Sequence, residues 1–279
     1  DGDISITGNG GDGSGSSNHG VNLESDATVQ VTTGLLTVSG TATAGDSRGV
    51  RLSESSGGRL VSVGSGNIVV TAIGNGTQPD FAAGADSIIG GTAATGDITI
   101  NADSIVLSGT TSVDSDGALT IQPRTASTTI GLGGGNGDLN LDDTELGFLA
   151  DGFSSITIGN AAAGTGVVDV DSSTFNDPVT IVGGSIAVTE LVAGSNAVTL
   201  TARAGAITDG GAATDVTAGA LTLDSTAGVG TSDAIETNVT SLTGSASASG
   251  DFVIVETDGL QLGAVTLAAE SDLNVTTGN

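Results

Sequence analysis

Short bursts in which Ile, Val and Leu alternate with Thr, Ser, Asn and Asp recur along the whole chain, and no helix-length pattern separates them. The stretch GDITINADSIVLSG (96–109) holds two of them. Alternation at period two puts the aliphatic side chains on one face of a strand and the polar ones on the other. The linking residues are Gly, Asn, Asp and Ser, which tolerate tight or left-handed backbone. A chain written this way is all-β. Its short one-faced strands suit either a sandwich or barrel, or a solenoid.

Spacing separates these options. Val21-Asn-Leu23, TVQV and LLTV form a triplet, and Val50-Arg-Leu52, LVSV and NIVV form another, which starts 29 residues later (Val21 to Val50). Near the end, LQL, AVTL and DLNV read as a tighter triplet within residues 260–275. Three short strands per coil with variable corner loops describe a triangular parallel β-helix. At a period of about 20–30 residues the chain makes roughly 10–13 coils. With strands about 4.8 Å apart, that is a rod of about 50–60 Å. TELGFLADGF (144–153) reads as one short turn of helix.

Composition agrees with a narrow coil. Aromatic residues are 2% of the 279, with no Trp or Tyr, and five Phe (81, 148, 153, 175 and 252) are read as core or corner plugs. Gly is abundant at 47 and Pro is sparse at 3, which argues against a disordered linker. The net charge is −27, and the only basic side chains besides His19 are Arg48, Arg51, Arg59, Arg124 and Arg203. So acidic a surface repels nucleic acid and anionic lipid, and suits high salt or divalent cations. No cysteine is present, so neither a disulfide framework nor a thiolate metal site is expected. No apolar run approaches 18 residues, so membrane insertion is not expected.

The end DLNVTTGN and the start DGDISITG join into a natural strand–turn–strand. The expectation is one continuous β-helix over residues 1–279, as part of a longer chain or as a unit that stacks end to end on neighbouring segments or copies. The Gly-rich stretches 8–20 and 131–137 are corner loops, and the second is a candidate subdomain boundary.

The second half resembles a known family. ELGFLADGFSSITIG (145–159), GVGTSDAIET (228–237) and VIVETDGLQLG (253–263) are similar to repeats of giant bacterial exoproteins related to filamentous haemagglutinin. The resemblance covers residues 130–279, and the first half shares it only in style. It implies a right-handed parallel β-helix, secretion to the bacterial cell surface, and adhesion or cell–cell contact. The host or neighbouring cell surface would be met by other parts of the chain.

Side chains that could carry chemistry are few. His19 stands in a Gly/Ser loop and reads as an exposed loop residue. Asp114 with Asp116, Asp142 with Asp143, and Asp169 with Asp171 are acid pairs of the kind glycoside hydrolysis uses. They are also what a solvated wall needs, and no catalytic residue is expected. GGNGDLNLDD (134–143) carries a trace of the Ca²⁺-binding nonapeptide, with Asp138 one place early. Asp138, Asp142, Asp143 and Glu145 are the candidate Ca²⁺ ligands, since that ion takes six to eight oxygens. Asn75, Asn238 and Asn274 head N-x-[ST] sequons. Three functions remain: a structural segment of an adhesin or filament, the repeating subunit of a self-assembling fibre or sheath, and a β-helical polysaccharide-degrading enzyme.

Overall fold

The computed structural model describes residues 2–13, 15, 17–53 and 57–278. Ser14 and Ser16 of the first Gly-rich loop, and Asp1 and Asn279 of the tail-to-head junction, lie outside the described residues. The architecture is a parallel β-helix, and every strand pairing given below is parallel. The chain groups into two compact units, Asp1–Arg124 with Gly147–Ile156, and Thr125–Leu146 with Thr157–Asn279.

The first unit winds as the triplets predict. Its first turn is β1 (Ile4–Asn9), β2 (Val21–Leu23) and β3 (Thr28–Val31), and its second is β4 (Leu35–Thr41), β5 (Val50–Leu52) and β6 (Arg59–Ser62). The third is β7 (Asn67–Ile73), β8 (Phe81–Ala83) and β9 (Ile88–Gly90). The fourth is β10 (Ile98–Asn101), β11 (Ile105–Leu107) and β12 (Ser112–Asp114), followed by β13 (Ala118–Gln122). Each strand pairs with its equivalents one turn away, which makes three walls. Along the first, Ile4, Leu36, Ile68, Ile98 and Leu119 are successive partners. Along the second they are Val21, Val50, Phe81 and Ile105. Along the third they are Val29, Leu60, Ile89, Val113 and then Leu149, from the segment that returns to this unit. The partners point inward as columns: Leu36, Val50, Leu60, Ile68, Phe81, Ile89, Val113 and Leu119 have no exposed surface. Each such side chain contributes about 1.5–3 kcal/mol by leaving water.

The second unit uses longer strands that bend around corners. It begins with β14 (Ile130–Leu132), β15 (Leu139–Leu141) and the one-turn helix α1 (Asp143–Leu146), and β16 (Ser155–Ile158) follows. Then come β17 (Val168–Thr174), β18 (Val179–Gly183), β19 (Ile186–Val192), β20 (Ala197–Ala202) and β21 (Ile207–Asp209). The last are β22 (Val216–Ser225), β23 (Ile235–Ala246), β24 (Phe252–Glu256), β25 (Gln261–Leu267) and β26 (Leu273–Thr277). One strand here can serve two walls. Val216 and Thr217 of β22 pair with β19, whereas Ala220–Ser225 pair with β20. Val179, Val198, Leu221, Leu242 and Leu262 are successive partners on the latter wall. The same bending removes the expected triplet at 260–275. LQL and AVTL lie on the single strand β25, because Gly263 and Ala264 form a bulge that keeps the ladder to β23 running.

Two local devices let the turns stack. The Leu223 column meets Gly244 in the next turn, where a Cβ would come within about 3 Å of the ring of Phe252. That ring is fully buried and takes the space a side chain there would need. The Gly-rich stretch 131–137 does more than turn a corner. Ile130 pairs with Leu139 on one side and with Val168 on the other, so β14 lies between β15 and β17. Six residues carry the chain back to the start of a parallel neighbour. Gly133 has φ 64, and a Cβ at Gly135 or Gly137 would meet backbone.

Candidate metal centre

Among the described residues, one group of three carboxylates offers oxygens that all lie within 4.8 Å of one another: Asp209, Asp215 and Glu236. Asp209 ends β21, and Asp215 stands just before β22, after the loop 210–214. Glu236 comes from β23, one turn further on. The ladder itself brings them together. Leu191 N–H donates to the Asp215 carbonyl (2.7 Å), and Asp215 N–H donates to the Glu236 carbonyl (2.8 Å). The acids therefore occupy stacked positions at a corner of one unit.

Burial makes this corner unlike the acidic surface elsewhere. Asp215 has no exposed surface, and Asp209 and Glu236 are half-buried. One Asp215 oxygen, Oδ2, accepts from the Glu236 amide at 2.8 Å. The other, Oδ1, is buried and receives no hydrogen bond, and the same holds for Oε2 of Glu236. The Asp209 carboxylate stands within hydrogen-bonding reach of Asp215, while its own Oδ1 accepts from Gly211 N–H at 2.6 Å. Two carboxylates this close need a shared proton or a cation. Desolvation first, then the Asp209 side chain and the charges of Asp209 and Glu236, push the Asp215 carboxyl up to about 8.

Two other buried acids, Asp80 and Glu256, are satisfied by donors. Asp80 accepts from Gly74 N–H (2.7 Å) and Asp103 N–H (2.9 Å), one bond to each oxygen. Burial still raises its carboxyl above the ordinary value. Glu256 accepts from the Thr237 hydroxyl at 2.6 Å and from Val239 N–H at 3.1 Å. These two carboxylates tie turns together. Asp215 has a single donor for two oxygens.

The candidate ligands read from the sequence lie elsewhere in the second unit. Asp142 and Glu145 form a capping box at α1: Glu145 N–H donates to Asp142 Oδ1 (2.9 Å) and Asp142 N–H donates to Glu145 Oε2 (3.0 Å). Asp138 exchanges bonds with Thr129, at 3.1 and 3.0 Å, and Asp143 is exposed on the helix. None of the four belongs to the three-carboxylate group. Asp169 Oδ2 accepts from the amide and the side chain of Asn136 and pins the Gly-rich loop to β17. Asp114 lies at the end of β12, where burial and then Asp116 raise its carboxyl. His19 is half-buried rather than exposed, and its Nδ1 accepts from Arg48 N–H at 3.0 Å, one turn later. A groove of about 730 Å³ in the second unit is lined by small residues such as Ser195, Thr217 and Gly219, with Asn238 and Asp258. Those lining residues offer no aromatic platform for a sugar ring.

Compared with protein-family models, curated proteins and solved structures, the chain matches none.

Proposed function

We propose that this chain is a scaffold segment of a secreted bacterial surface adhesin or extracellular filament. Its work is mechanical: it extends the parts that meet a host or neighbouring cell. The observation that supports this most is the aliphatic column that continues from turn to turn beneath walls of Thr, Ser, Asn and Asp. Each turn adds about 4.8 Å of height, so such a chain converts residues into reach. The resemblance of residues 145–159, 228–237 and 253–263 to filamentous haemagglutinin-like repeats points the same way. The strongly acidic surface keeps such a segment soluble and off nucleic acid.

Immunogold labelling of intact cells that express the chain tests the reading. Label on unpermeabilised cells, set away from the envelope, is expected. Label that requires permeabilisation overturns it. A second reading is a subunit that stacks end to end. Sedimentation of the isolated chain distinguishes the two, since a stacking subunit grows with concentration and a segment does not.

A further inference from the structure

We propose that Asp209, Asp215 and Glu236 hold a divalent cation, and that Ca²⁺ is the ion this site selects. Three features carry the assignment. The donors are all carboxylate oxygens, which suits a hard cation and not a soft one. One oxygen from each residue lies within 4.8 Å of the other two. Two ligands of one Ca²⁺, each at 2.3–2.6 Å from it, can be no more than about 5 Å apart, so the three oxygens already have the separation a shared ion demands. Independently of the clustering, Asp215 is wholly buried and its Oδ1 is without a donor, as is the buried Oε2 of Glu236. A fully buried carboxylate oxygen with no donor is costly; without metal a proton shared with Asp209 relieves that cost, and a bound cation does so in its place. Asp80 and Glu256, also buried, have donors at both oxygens and make no such demand.

The site joins two consecutive turns at a corner. Asp209 and Asp215 flank the loop 210–214 in one turn, and Glu236 belongs to the next. A bound ion would fix that loop and lock the two turns together. The remaining coordination positions fall to water or backbone carbonyls, since Ca²⁺ takes six to eight oxygens.

The test is calorimetric titration of CaCl₂ into the chelator-treated 279-residue chain, in NaCl near physiological ionic strength to screen diffuse binding. One saturable site is expected. Asp215→Asn should weaken it at least tenfold, as should Asp209→Asn, while Asp233→Asn in an exposed loop should leave it unchanged. In parallel, the thermal midpoint of the wild type should climb with Ca²⁺ concentration by mass action, and that of Asp215→Asn should not. MgCl₂ should compete weakly, because Mg²⁺ keeps its water and demands a stricter octahedron. Circular dichroism establishes that each variant is folded. Should Asp215→Asn fail to fold, Asp209→Asn and Glu236→Gln carry the same comparison. A folded wild type with no saturable uptake overturns the proposal, and so does uptake that survives these substitutions.

Discussion

At the scale of single residues, what separates one acid from another is the number of donors it meets. The chain carries 32 acidic side chains, and most of those described are exposed. Asp215 is not, and its carboxyl is pushed from an ordinary 3.8 up to about 8 by burial and by the facing carboxylates of Asp209 and Glu236. The consequence for stability has a definite sign. Below about pH 4 both folded and unfolded chains hold this proton. Between about 4 and 8 the unfolded chain releases it and the folded chain keeps it, so folding becomes progressively less favourable as pH rises. In chelator, urea midpoints of the wild type should fall across that window, and Asp215→Asn should flatten the fall. A smaller effect belongs to Asp142, which caps α1: Asp142→Ala should cost about 0.5–2 kcal/mol in the same measurement. The sequence pointed to Asp138, Asp142, Asp143 and Glu145 because they are close together along the chain. Asp209 and Glu236 are far apart along it, and only the winding makes them neighbours. The signal that could have found them is acids repeating at the length of one turn, as Asp215 and Glu236 do at 21 residues.

At the scale of strands, inward and outward positions differ sharply. Leu221 is buried at 1% exposure between Val198 and Leu242 of the adjoining turns. Thr222, next to it, faces out in a column with Thr180, Thr199 and Thr243, and its hydroxyl lies 3.0 Å from that of Thr243. Leu221→Ala should cost about 2–5 kcal/mol in denaturant unfolding, since a cavity opens in a stack. Thr222→Ala should cost less than about 1 kcal/mol, because one half-exposed hydrogen bond is lost. Most of this was legible beforehand. Period-two alternation set which side chains face in, and the 29-residue step from Val21 to Val50 is the observed register. The failure near the end has a physical cause. Gly263 breaks the alternation between LQL and AVTL in the sequence, but a bulge absorbs it and the strand continues as one. A strand that rounds a corner, as β22 does at Gly219, likewise hides its bend, because both halves alternate in the same way.

At the scale of the whole molecule, the turn is the natural unit of change. Val179 and Val198 are register partners, so deleting residues 179–197 sets Val198 where Val179 stood. That variant should fold with its strand content per residue intact by circular dichroism, as stability in a solenoid is a sum over neighbouring repeats. Deleting 179–188, about half as much, should not, because it brings unmatched walls together. One part of the second unit breaks the rule that each turn rests on the one before. In a simple solenoid the terminal strand has a neighbour on one side alone, and tension peels it off as a zipper opens. Here β14 is flanked by β15, which follows it in the chain, as well as by β17. A load applied at Thr125 must rip both ladders together, so an optical-trap record of unfolding from that end should show an arrest before β14 yields. The doubled-back glycine loop is thus a mechanical clasp, which sets how far a pull can travel before the winding gives way.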